Sequence, residues 1–288
     1  MANQIRLPIT DAYVHVQLLN GGSMTAEYHK LHAGEPAKKF RLYNWAFYIY
    51  HPTSRRHIIW DLGLSSIPDD YPPVIANGVL KEAQCEGPRQ SIAEQIERRN
   101  GVRVDEIDTV ILSHAHFDHC RPIRQTFSNA TAFFGPGTSE YCSPGHLADP
   151  SSAWDGRYFD PERATERWEI LQGPWVPLGP FSHAMDFLGD GSFWVIQAPG
   201  HMPALLDGTK NFGSFKLPDG STSCLHVDIS AAKDTLARIR ETESLGVHVA
   251  LAHDTTWIQK ENDPVLLSLL DEELLGEIRA ALRQQAPF

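Results

Sequence analysis

The sequence predicts a mixed α/β fold, on three observations. Short strand-type runs recur in both halves of the chain, helical periodicity occurs in both, and each half has a strand-type run leading into a cluster of histidine and aspartate. At 288 residues the length accommodates one large domain or two small ones. It also suffices to bury a core without disulfide staples.

In chain order, Tyr13 to Leu19 alternates loosely, Asn44 to His51 is aromatic and β-branched, and His57 to Leu62 is apolar up to Asp61. Ser91 to Arg99 has helical spacing, with Ser91 placed to cap and Glu94 three residues on to complete a capping box. Asp108 to Ser113 is a short apolar run of buried-strand type that ends on His114. A Pro-, Gly- and Trp-rich stretch follows, at about 135–182. Its composition favours turns, and its aromatic content predicts an insertion packed over the core near the active site rather than a linker. Further on, Phe187 to Ala198 reads as a hairpin turning near Asp190-Gly191, and Cys224 to Asp228 and Val247 to Ala252 read as strands. Ala231 to Ser244 and Pro264 to Arg283 have helical periodicity.

A formal net charge of -11 argues against nucleic acid and anionic membrane as partners, because both demand basic patches, and points to a small-molecule substrate. The four cysteines (Cys85, Cys120, Cys142, Cys224) form no CxxC pair, so buried thiols in a reducing compartment are expected. The N-terminal residues lack a signal-peptide pattern, and no run approaches the ~20 apolar residues of a membrane span. The expectation is a soluble cytoplasmic protein.

The densest chemistry lies in His114-Ala115-His116-Phe117-Asp118-His119, where four metal-ligand side chains occupy six residues. With the preceding strand ending near Ser113, His114 and His116 point the same way by period-two alternation. Asp118 and His119 then fall on the turn, within reach of a second ion.

This segment resembles the HxHxDH signature of the metallo-β-lactamase superfamily, and other motifs follow in that family's order. Pro199-Gly200-His201 resembles its PGH turn, Asp228 ends a strand as its bridging carboxylate does, and Leu251-Ala252-His253-Asp254 matches its terminal motif. Ile59-Trp60-Asp61-Leu62-Gly63 resembles its early D-x-G strand end. The resemblance implies an αββα sandwich of two mixed sheets flanked by helices, formed by residues 1–288 as one domain. It also implies two divalent metal ions, Zn(2+) first among them. The first takes His114, His116 and His201. Asp118, His119 and His253 take the second, and Asp228 bridges both. The reaction this resemblance implies is one in which a hydroxide shared by the ions would attack a carbonyl and Asp118 would accept its proton. Asp61 and His226 are expected to orient the ligands from behind.

Within the superfamily, Gly21-Gly22-Ser23-Met24-Thr25 and His32-Ala33-Gly34 look most like the N-acyl-homoserine-lactone lactonases and their fungal lactonase- and lactamase-like relatives. The chain departs from the lactonases at Ala231, where they carry a tyrosine, and after His201, where the second histidine of GHxxGH is missing. The resulting expectation is a hydrolase opening a small, uncharged, partly aromatic lactone or lactam, with Tyr28, His32, Trp154 and Tyr158 lining the substrate pocket. A thioesterase of the glyoxalase II type and a mononuclear iron persulfide dioxygenase are the alternatives on the same fold.

Overall fold

A computed structural model describes residues 8–200, 212–216, 219–224, 226 and 228–284. The chain divides into two compact units. One comprises Val14–Met24 and Tyr43–Gln172; the other comprises Met1–Tyr13, Thr25–Leu42 and Gly173–Phe288.

The first unit is built on a six-stranded sheet in sequence order: β1 (His15–Glu27), β2 (Lys39–His51), β3 (Arg56–Trp60), β4 (Thr109–Ile111), β5 (Thr131–Phe134) and β6 (Trp168–Ile170). β2 and β3 form an antiparallel pair, and β3 through β6 run parallel. Every residue of the short central β4 is buried, as expected of a parallel strand covered on both faces. The helix Ile92–Asn100 starts with the expected capping box, Ser91 accepting from the Glu94 amide and Glu94 from that of Ser91. Its Ile92 and Ile96 join Ile59, Val110, Phe127 and Phe134 in the core. Because β3 and β4 are parallel neighbours, Asp61 and the segment after Ile111 emerge at the same strand-end edge, and the Asp61 amide donates to the Ile111 carbonyl at 2.9 Å. Such carboxyl ends are where α/β sheets place their ligands.

The Pro/Gly/Trp-rich stretch is more ordered than its composition predicts. It contains the helices Thr138–Cys142 and Gly156–Phe159 and supplies β6 to the sheet.

The second unit holds an antiparallel sheet of β7 (Val176–Leu178), β8 (Phe181–Asp186) and β9 (Trp194–Ile196), and a short pair, β10 (Phe215–Lys216) with β11 (Thr222–Ser223). The expected hairpin is present with its arms displaced: residues 187–193 all belong to the turn. Asp186 draws them in by accepting from the Gly189 and Gly191 amides at 2.9 and 2.7 Å. Val247 to Ala252 is irregular rather than a strand, since no described strand pairs with it. The expected strand Cys224 to Asp228 includes positions 225 and 227, outside the described residues, and its described positions are not in a strand. The helix Ile229–Ser244 forms as expected, but the helix expected over Pro264 to Arg283 is two, Pro264–Leu267 and Glu272–Gln284. The break is local side-chain chemistry. The Ser268 hydroxyl turns back to the Val265 carbonyl at 2.7 Å, and Asp271 accepts from the Leu274 amide at 2.7 Å. Among the described residues, no helix is long and apolar enough to cross a membrane.

Candidate metal centre

Asp61 organises the first unit's histidine cluster. It sits in the left-handed region (φ 59), immediately after β3, and is buried. One carboxylate oxygen accepts from the Ser113 amide at 2.7 Å; the other accepts from the Ser113 hydroxyl at 2.7 Å and lies 2.9 Å from His119 Nδ1. Backbone bonds hold the same turn closed: Leu62 N to His119 O at 3.0 Å, His119 N to His116 O at 3.0 Å, and Cys120 N to His116 O at 2.8 Å. The side-chain amide of Asn44, fully buried in β2, donates to the Asp118 carbonyl.

This scaffold gathers four ligand-type side chains. His114 Nε2 and His116 Nδ1 are 3.0 Å apart. The His114 and His119 ring centroids are 4.3 Å apart, and His119 Nε2 is 3.3 Å from Asp118 Oδ2. Two nitrogens on one tetrahedral zinc at 2.0–2.1 Å stand roughly 3.3 Å apart, so the imidazole pair is spaced to share an ion. The electrostatics agree. Burial disfavours charge on His119, yet Asp118 and Asp61 outweigh it and raise the imidazole to about 10, so positive charge is held strongly here. With Nδ1 engaged by Asp61, Nε2 is turned toward Asp118, as in carboxylate–histidine pairs behind metal ions. These residues fit a divalent cation.

In the second unit, the Pro199-Gly200 turn leading to His201 is fastened to the helix Ile229–Ser244. Thr235 donates to the Pro199 carbonyl at 2.9 Å, and His226 Nδ1 lies 3.3 Å from the Gly200 carbonyl. Gly200 has φ 114, and a Cβ there would lie 2.3 Å from the Ala232 amide nitrogen, so only glycine allows this approach. Asp228 is exposed and caps the helix by accepting from the Ala231 amide at 2.9 Å. His253 is buried. His201 itself lies outside the described residues.

The fold and this cluster can be set beside known proteins. A family model, the metallo-beta-lactamase superfamily, matches residues 39–121, which run from β2 through the cluster. Gamma-lactamase MBL2 of Gibberella moniliformis is 33% identical over 173 residues, 57% of this chain and 69% of that protein. The chain belongs to the metallo-β-lactamase superfamily. Metallo-hydrolase mfmC of Annulohypoxylon moriforme is 30% identical over 192 residues, 63% of this chain; the chain thus spans about half of that relative's length (48%). A solved N-acyl homoserine lactone hydrolase, with its product N-hexanoyl-L-homoserine at the catalytic metal center, superimposes with a TM-score of 0.55 at 15% identity, covering 88% of this chain and 97% of that one. The fold is therefore the metallo-β-lactamase fold.

The remaining sequence-assigned residues of this superfamily member fall into three groups. Trp154 lies against the cluster, its ring nearly parallel to His116 at a centroid distance of 5.6 Å. Tyr28 stacks on Phe40 at 4.2 Å, and His32 is buried. Burial, followed by the charge of Glu35, pushes the Tyr28 phenol up to about 12. Tyr158 is 1% exposed, packs in the core against Phe134 and donates to the Arg121 carbonyl at 3.0 Å. Sequence reading missed Ser113 and Asn44. A serine beside a histidine carries no signal, whereas an asparagine opening an aromatic strand is the kind of buried polar residue that needs a fixed partner.

Proposed function

We propose that the chain is a metal-dependent hydrolase that opens a small lactone or lactam, using two divalent ions, zinc first among them. The spacing of His114, His116, Asp118 and His119, with Asp61 fixing the imidazole of His119, is the observation that supports this reading most. His201, Asp228 and His253, assigned from the family resemblance, complete the proposed ligand set. The names of two relatives, a gamma-lactamase and a lactone hydrolase, support a cyclic amide or ester as the substrate class.

When bound, the ions supply a water of lowered pKa and a Lewis acid for the carbonyl. The chain's own contribution is geometric. Asp61 and Ser113 set the tautomer and tilt of His119, and Asn44 holds the Asp118 backbone, so the turn is already shaped for its ligands. The Asp118 carboxylate is the group we assign to take up a proton in the reaction. Ala231 provides no hydroxyl for the substrate carbonyl, and its amide is engaged by Asp228.

The test combines elemental analysis of the purified protein with a hydrolysis panel of lactones, lactams and thioesters. About two zinc ions per chain and chelator-sensitive ring opening are expected. Turnover of acyl-glutathione alone, or a single iron per chain with no hydrolysis, would replace this reading by one of the alternatives.

A further inference from the structure

Resting on the hydrolase reading, we propose that Trp154 and Tyr141 form an aromatic subsite beside the metal centre that takes a planar, unsaturated ring carried by the substrate. Three rings stand in series. The Trp154 indole lies nearly parallel to the His116 imidazole, at an interplanar angle of 5° and a centroid distance of 5.6 Å. Tyr141 meets Trp154 edge-on, at 64° and 5.6 Å. Trp154 is half-buried and Tyr141 is 59% exposed, so the series runs from a proposed metal ligand out to solvent.

Core packing accounts for only part of this. Trp154 touches the hydrophobic core with some of its surface. Tyr141 contributes little to any core, and a single exposed tyrosine is ordinary. A tyrosine set against a tryptophan that itself covers a ligand imidazole makes a continuous aromatic wall, whose π-faces favour another ring in offset or edge contact.

The loop that carries Trp154 is also fastened. Asp160 accepts from the Gly145, Leu147 and Ala148 amides at 2.7, 3.0 and 3.0 Å. The His146 amide donates to the Trp154 carbonyl at 2.9 Å, and His146 Nδ1 accepts from the Gly156 amide at 3.0 Å. Arg157 ties the loop to the Asp69 and Asp70 carbonyls at 2.9 and 2.8 Å. A surface fixed before the ligand arrives loses little side-chain freedom on binding. The substrate ring it suits is flat and uncharged, fused to or carried beside the scissile lactone or lactam.

The experiment uses the full chain loaded with zinc and two lactones of equal carbon number, the benzo-fused 2-coumaranone and the alkyl-substituted γ-octalactone. Trp154→Leu is expected to raise KM for 2-coumaranone about tenfold and that for γ-octalactone no more than about twofold, given the extra strength of aromatic pairs. Tyr141→Ala should act in the same direction by less, and Trp154→Phe should restore most of the loss. Equal KM changes for both lactones overturn the subsite, as does a loss confined to kcat and zinc content; Trp154 then only packs His116. If the wild-type protein turns over neither lactone nor any lactam, the hydrolase reading fails. Saturation-transfer NMR of intact 2-coumaranone then tests the subsite by itself. Signal lost in Trp154→Leu supports it, and equal signal in both proteins overturns it.

Discussion

Asp61 concentrates three demands on one buried carboxylate: the Ser113 amide, the Ser113 hydroxyl and the His119 imidazole. Its left-handed backbone is a conformation that non-glycine residues adopt rarely and at a cost, here in exchange for that aim. Asp61→Ala is expected to weaken zinc binding about 10- to 100-fold, the usual effect of removing a carboxylate behind a ligand histidine. Competition against a chromophoric chelator measures it, and unchanged affinity would remove Asp61 from the centre. Ser113→Ala, which leaves the Ser113 amide bond intact, should weaken binding less. Two thiols give a second prediction. Burial raises Cys120 well above its ordinary range and Cys142 to about 12, so neither offers thiolate near neutrality. Both should resist a thiol reagent in the native protein and react once it is unfolded, as mass-resolved labelling would show. Asp61 was legible in the sequence because a D-x-G strand end has a known family role. Tyr158 was not, because an aromatic in an insertion reads the same whether it lines a pocket or fills a core.

At the scale of elements, close backbone approaches matter more than propensity. Gly63 has φ 63, and a Cβ there would lie 2.4 Å from the Gly21 Cα. The obstacle is backbone, which cannot step aside as a flexible side chain would. Gly63→Ala should therefore destabilise the protein by at least about 2 kcal/mol, from overpacking and strain together, read as a lowered urea midpoint with little change in slope. Thr235→Val removes the bond to the Pro199 carbonyl and should cost about 1 kcal/mol. The helix Ile92–Asn100 was legible from its capping box, because that signal is local. Val247 to Ala252 misled because an apolar run becomes a strand only when a neighbouring strand pairs with it, and none of the described ones does.

For the whole molecule, zinc that binds only the folded state should raise stability by RT ln(1 + [Zn]/Kd), or ~2.7 kcal/mol at a hundredfold excess over Kd. Chelation should lower Tm and readdition restore it; a Tm indifferent to zinc would contradict a folded-state metal site. Alkaline pH gives an independent reading. Burial is the leading cause that raises Tyr28, Tyr48 and Tyr71 from 10.0 to about 12. The folded state therefore holds these protons more tightly than the unfolded chain. Their contribution to stability is complete below about pH 10 and is lost as pH rises toward 12. Absorbance at the phenolate band should show delayed titration of these tyrosines and unfolding within that window.

Local sequence was enough for the mixed α/β class and for locating the histidine- and aspartate-rich motif. Both rest on short-range information: the period of apolar residues, a capping box, and four ligand-type side chains within six residues. Long-range folding decided that Ser113 and Asn44 brace the motif, that Trp154 lies nearly parallel to His116, and that Tyr158 is core. Those facts depend on which strand ends share an edge and which side chains meet across long sequence separations, and nothing in local spacing encodes such meetings.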